Sequence, residues 1–177
     1  MQQYSLLLAK ALNVSLEDRE IIRKGALLHD IGKISIPDAI LFKQGLLSEQ
    51  EWEVMRSHPI RGEEICRPMK SLWPVLPIIR NHHERWDGSG YPAHLKGEEI
   101  PLSARIVAVA DVYDALRSAR PYKPGFSHEE TCRIILEGDE RIDPRAHFDP
   151  QVLAVFAASR DEMARIWSSL QDGPVTS

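Results

Sequence analysis

The sequence predicts an all-α protein folded as one compact bundle of about seven or eight helices. Three observations carry that prediction. Apolar residues recur at helical spacing along nearly the whole chain, helix-starting residues stand in front of most of these segments, and no alternating run of useful length suggests a strand.

The first segment, "YSLLLAKAL" from Tyr4, has an apolar stripe but no capping residue before it. A helix that begins almost at Met1 leads us to expect a natural chain extending further upstream. Ser15, with Asp18 three residues later, caps a second helix expected to run to Gly32. Ser48 and Glu51 form a fuller capping box for "LLSEQEWEVM", which should end near His58-Pro59. Pro59 suits the first turn of a short helix to about Cys66. In "SLWPVLPIIRNHHERW", from Ser71, Pro74 is tolerated in a first turn, whereas Pro77 kinks or restarts the helix. "WDGSGYPAHLKGEEIP" is dense in glycine and proline and reads as a loop. "SARIVAVADVYDALRS" is the cleanest helix, with Ser103 as its expected cap. Ser127 with Glu130 starts the next, and Gly138 stops it. Asp149-Pro150 opens a single last helix to about Leu170, and residues 171–177 are expected to fray. Residues 1–177 are expected to form a single domain, cut from a longer chain.

Composition narrows the function. The net charge of −4, from 22 Lys+Arg against 26 Asp+Glu, disfavours binding to long nucleic acid, which needs clustered cations. It leaves room for a small anionic ligand where a few cations converge. Cys66 and Cys132 match no metal or redox spacing and read as reduced, packed thiols. No apolar run approaches the roughly 18 residues of a membrane span, and Lys10 interrupts the only segment resembling a leader. A soluble, cytoplasmic protein is expected.

The chemistry gathers around histidine. Four of the seven, His29, His58, His82 and His83, fall at or near predicted helix C-termini, and Asp30 and Asp111 lie on two of the same helices. Imidazole nitrogen and carboxylate oxygen without cysteine suit a first-row divalent metal, and six such groups suit two ions better than one. A lone histidine at a helix end has a plainer reading, as a complement to the helix dipole. The doublet His82-His83, followed by Glu84, is harder to explain that way. Asp111 interrupts a stretch in which Ile106, Val107, Ala110 and Val112 would be core, and Asp114 follows at i+3. Two like charges on one face would repel unless a cation joined them. His94, His128 and His147 read as loop, helix-start and loop residues.

These pieces together resemble the HD-GYP family, a branch of the HD-domain metal phosphohydrolases. The resemblance rests on "HDIGKISIPDAIL", "HP" at His58-Pro59, "HHERWDGSGYP" with "GEEIPLSARIVAVADVYDAL", "RPYK" from Arg120 and "HFDP" from His147. It spans about Tyr4 to Phe156. It implies an HD-domain-like fold and a cytoplasmic phosphodiesterase that opens cyclic di-GMP to linear pGpG, in some members on to GMP, using two or three iron or manganese ions. By the family's pattern His29, Asp30, His58, His82, His83 and Asp111 are metal ligands, with Asp30 bridging. Lys33 lies near the scissile phosphate, Tyr91 belongs to the "GYP" loop, and Arg120 and Lys123 hold phosphates or guanine. Lys33 or Asp114 manages a proton, and Asp114 has the alternative role of orienting a histidine ligand. Two ions can clamp one phosphate and lower the pKa of a water between them.

One departure from the family bears on metal count. The upstream Glu or His that helps to build a third metal site has no counterpart in "MQQYSLLLAKALN", where Gln2, Gln3 and Leu6 are poor ligands. Either that ligand precedes Met1, the preferred reading, or this member holds two ions. Members are usually fused to a receiver, PAS or membrane sensor domain. The expected partners are therefore cyclic di-GMP, an upstream sensor or receiver domain, a GGDEF-type cyclase and, in a dimer, a second copy. Two other readings stay open: an HD hydrolase of another cyclic dinucleotide, and a catalytically weak sensor or interaction module.

Overall fold

The computed structural model describes residues 1–119 and 124–171. Arg120, Lys123 and residues 172–177 of the expected frayed tail lie outside the described residues. Among the described residues every regular element is helical.

Helices α1 (Gln2–Ala11) and α2 (Leu16–Leu28) pack side by side, and Ser15 Oγ accepts the Asp18 N–H at the start of α2 as the capping signal required. Instead of continuing to Gly32, α2 stops at Leu28, and a 3-10 turn follows over Ile31–Ser35. Packing explains the early stop. A methyl group on Gly32 would lie 1.9 Å from the His58 carbonyl oxygen and 2.5 Å from the Gly62 nitrogen, so backbone meets backbone there. A short α3 (Asp38–Leu41), unforeseen, precedes α4 (Glu49–Arg56), whose Ser48–Glu51 capping box is complete. His58 begins α5 (His58–Cys66), with Pro59 in its first turn. Pro77 does restart the chain: a 3-10 turn over Lys70–Val75 gives way to α6 (Leu76–Asn81).

A long loop, with a 3-10 turn at Gly97–Glu99, leads to α7 (Leu102–Arg117). Ser103 is not its cap. Pro101 occupies that position, and no side chain closes the end. In α8 (His128–Glu137) Ser127 accepts the Glu130 N–H, but Glu130 bonds Arg133 instead of returning to the backbone, so only half of the expected box forms. Gly138 ends α8 at φ +96°, where a side chain would be strained. Asp143-Pro144 opens a short α9 (Pro144–His147), so His147 ends a helical turn instead of lying in a loop.

The expected last helix is two, α10 (Pro150–Ala158) and α11 (Arg160–Gln171), broken at Ser159. The break turns the chain so that Met163 is sealed in the core that Phe156 also enters.

That core runs along α7, whose Ile106, Val107, Ala110 and Tyr113 meet Tyr4 and Leu8 of α1, Ile22 of α2, Ile78 of α6, Ile135 of α8 and Val152 of α10. Each fully buried large side chain contributes about 1.5–3 kcal/mol. A smaller cluster of Cys66, Val75 and Ile79, flanked by Leu28 and Ile31, ties α5 and α6 to the end of α2. These are the elements that carry His29, Asp30, His58 and His82. Both cysteines are free and buried, as expected.

Candidate metal centre

Three helix ends and a 3-10 turn converge beside α7. His29 caps α2, Asp30 follows it, His58 opens α5, and His82 caps α6 with His83 next. His58 lies near the C-terminus of α4, as the sequence suggested, two residues past Arg56, and it also begins the next helix. Three of the rings are fixed alike. His29 Nδ1 lies 3.1 Å from the Ala26 carbonyl, His58 Nδ1 2.8 Å from that of Met55, and His82 Nδ1 2.9 Å from that of Ile79. Each carbonyl is three residues back, in the last turn of a helix, where carbonyls lack intrahelical partners. With Nδ1 donating to a carbonyl, Nε2 is the atom each ring can offer to a metal, and all three aim at Asp30.

Asp30 divides its oxygens between two groups. Oδ1 lies 3.2 Å from His58 Nε2 and 3.8 Å from His82 Nε2, whereas Oδ2 lies 3.3 Å from His29 Nε2. His29 Nε2 is in turn 3.4 Å from Asp111 Oδ1. Donor atoms of Asp30, His58, His82 and His83 all fall within 4.8 Å of one another. The donors fit divalent ions on the structure's own terms. His29 Nε2 and Asp30 Oδ1 are buried without a hydrogen bond, and His58 Nε2 faces His82 Nε2 at 3.3 Å, so two lone pairs oppose each other. Buried polar atoms carry a cost unless something joins them, and here a cation would.

Electrostatics agree. Burial opposes charge on His29, but the Asp111 and Asp30 carboxylates outweigh it and lift the pKa to about 9. Burial likewise opposes charge on Asp30, yet His29, His58 and His82 hold its carboxyl far below the usual range. Burial pushes His82 down, and burial with the neighbouring His82 and His58 pushes His83 well down. Without metal the cluster thus keeps its proton on His29, between two carboxylates.

The HD domain family model matches residues 1–146, which include every one of these donors. The chain belongs to the HD domain family. It is 44% identical over 177 residues to a cyclic di-GMP phosphodiesterase of Vibrio cholerae, covering 96% of this chain and 34% of that protein. It is 40% identical over 167 residues to 3'3'-cGAMP-specific phosphodiesterase 2 of the same organism, covering 93% of this chain and 31% of that one. This HD domain thus spans about a third of the length of those relatives. Among solved structures, Bd1817, an HD-GYP-type protein of Bdellovibrio bacteriovorus, aligns with a TM-score of 0.70 at 21% identity, covering 93% of this chain and 50% of that one.

The other expected residues of the HD domain fall in different places. Lys33 Nζ lies 2.6 Å from Asp30 Oδ2, at the edge of the cluster. Asp111 is partly exposed, not buried, and opens onto a cavity of about 500 Å³. Asp114 faces the start of α1, with Oδ1 3.0 Å from the Met1 nitrogen. Tyr91 stacks on His83 with centroids 4.9 Å apart, and burial raises its hydroxyl pKa above the ordinary value. Glu84, only 4% exposed, accepts the Ala93 and Leu95 N–H groups at 2.6 and 3.1 Å and so anchors the loop that carries Tyr91. Gly90 is required there, because a methyl group would lie 2.2 Å from the Arg85 nitrogen.

Sequence reasoning passed over the rest of the cavity wall. Trp52, Arg56, Arg141 and His147 line it with Asp111 and Tyr91. The signal for His147 was available: Asp143-Pro144 repeats the cap-and-proline pattern of Asp149-Pro150. For Trp52 and Arg56 there was none, since both lie on the exposed face of an ordinary amphipathic helix.

Proposed function

We propose that this HD domain is the catalytic part of a cytoplasmic phosphodiesterase that opens cyclic di-GMP to linear pGpG. The observation that carries the reading is the division of Asp30: one oxygen faces His58 and His82, and the other faces His29. That arrangement supports two ion positions sharing one carboxylate, one completed by Asp111 and the other by His83. Iron or manganese suits this nitrogen–oxygen set. Bound there, the pair of ions supplies Lewis-acid activation of water and neutralises charge on a phosphate.

The chain's own residues do the rest. The backbone carbonyls behind His29, His58 and His82 accept from Nδ1, fix each ring in angle and leave Nε2 as the atom that would bind a metal. Lys33 brings an ammonium to the cluster's edge, where it opposes the negative charge that builds on a phosphate under attack. Tyr91, stacked on His83, closes one side of the cavity. Asp114 faces the start of α1, so of the two candidates Lys33 is the better placed to manage a proton. Arg120 and Lys123 remain our candidates for phosphate or guanine contacts. The domain is expected to work within a longer chain, under a sensor or receiver domain, with a GGDEF-type cyclase or a second copy as further partners.

Anaerobic incubation of the chain with cyclic di-GMP and Fe²⁺ or Mn²⁺, with products resolved by chromatography, tests the reading. Linear pGpG should accumulate, with GMP minor, and a chelator should abolish it. Intact substrate under both metals, with tight binding retained, would favour a sensor. A second reading draws on the 40% identity to a cGAMP-specific relative: faster turnover of 3′3′-cGAMP in the same assay would move the substrate to that dinucleotide. No residue in "MQQYSLLLAKALN" suits a third ion, so two tightly held ions per chain are expected by elemental analysis.

A further inference from the structure

One wall of the cavity has no part in the chemistry above. α4 brings Trp52 and Arg56 to it, and the Arg56 guanidinium lies 5.7 Å from the Trp52 ring and 6.0 Å from the Tyr91 ring. Tyr91 in turn stacks on His83. The order along this wall is imidazole, phenol, guanidinium, indole, starting from the candidate metal cluster.

Arg56 differs from its neighbour Arg141, which is paired with Asp139 at 3.3 Å. Arg56 makes no ion pair and no side-chain hydrogen bond among the described residues; its recorded contacts are the two ring faces. Aromatic faces attract a guanidinium without using its N–H donors, which lie in its plane. Those donors are left for a ligand, and their fork matches the oxygens of a phosphate.

A cyclic dinucleotide carries two phosphodiesters on one macrocycle. When one sits at the Asp30–histidine cluster, the other is presented away from it, along the cavity. We propose that Arg56, steadied by Trp52 and Tyr91, binds the second, non-scissile phosphate and thereby selects cyclic dinucleotides over simple diesters. This assignment rests on the phosphodiesterase reading above. It makes Arg56 a specificity residue, with its effect on substrate binding.

The test uses the full chain loaded anaerobically with Mn²⁺, as wild type, Arg56→Ala and Arg56→Lys. Bound manganese and thermal melting are checked first, because His58 lies two residues away. Steady-state rates are then measured on cyclic di-GMP and on bis(4-nitrophenyl) phosphate, which has a single phosphate. Loss of one charge-assisted contact predicts a KM for cyclic di-GMP raised about tenfold in Arg56→Ala. The ratio of kcat/KM for cyclic di-GMP to that for the simple diester should fall by a similar factor. Arg56→Lys should recover part of it, and the salt dependence of KM should flatten in Arg56→Ala. An unchanged ratio in a metal-loaded, folded Arg56→Ala protein overturns the assignment. Should the wild type leave cyclic di-GMP intact, the phosphodiesterase reading fails and equilibrium binding of that dinucleotide decides the role of Arg56. Binding weakened by Arg56→Ala supports it; equal binding, or none to the wild type, overturns it.

Discussion

Three histidines of the centre share one local device: the ring donates from Nδ1 to a carbonyl three residues back and offers Nε2 forward. Asp30 is what those Nε2 atoms have in common. Asp30→Ala should therefore lose bound metal and activity together, as read by elemental analysis beside the chromatographic assay. Lys33 is different. Its ammonium, 2.6 Å from an Asp30 oxygen, competes with a cation for that carboxylate. Lys33→Ala should keep or tighten the metal while lowering the rate about 100-fold; a normal rate would remove Lys33 from the mechanism. His29 sets the pH dependence. Its folded pKa, about 9, lies above the ordinary value of 6.5, so its proton stabilises the metal-free fold. That contribution is complete below 6.5 and is lost as pH rises through 9. A metal must displace the same proton, so binding at pH 7 should release about one proton per chain, and apparent affinity should climb with pH up to about 9. Calorimetry of Mn²⁺ binding in buffers of differing ionisation enthalpy measures that proton directly.

Between elements, the decisive contact is the 3-10 turn at Ile31–Ser35 against α5. Gly32 lets the two backbones touch, and neither can yield to a methyl group 1.9 Å from the His58 carbonyl oxygen. Gly32→Ala should therefore cost about 3 kcal/mol and, by moving His58 away from Asp30, weaken metal binding in the protein that still folds. A melting curve with and without Mn²⁺ separates the two effects. The loop after α6 depends on Glu84 in a similar way. Glu84→Gln keeps one acceptor oxygen, but its amide NH2 would face the Ala93 or Leu95 N–H, so one of the two backbone bonds is lost along with the charge. Tyr91 should then lose its fixed place on His83, raising KM for cyclic di-GMP more than it lowers metal content.

At the scale of the molecule, the main core and the metal centre are separable. Phe156 of α10 is fully buried beside Tyr113, in the cluster that also holds Tyr4 and Met163. Phe156→Ala should cost about 4 kcal/mol, which lowers the melting temperature by roughly 8–16 °C in a domain of this size. Metal content per folded chain should hold, because His58 and His82 are seated by the smaller Cys66–Val75–Ile79 cluster. A parallel loss of metal at low temperature would show that the two regions are coupled.

The sequence by itself determined the helical class, because apolar periodicity and caps such as Ser15, Ser48 and Asp149 are local properties. It also determined which residue types form the centre, since the signals at His29-Asp30, His82-His83 and Asp111 are compositional, and "HHERWDGSGYP" specifies the branch of the family they resemble. Tertiary structure decided the rest. α2 stops at Leu28 because α5 packs on Gly32, and the last helix breaks at Ser159 to bury Met163, and neither partner is near in sequence. Arg56 reaches the cavity only because α4 lies across from the loop that carries Tyr91. Asp111 and Asp114, which shared one face in the helical pattern, part company in space. One faces His29 across the centre and the other faces the start of α1, because α7 packs against α1 on one side and against the cluster on another.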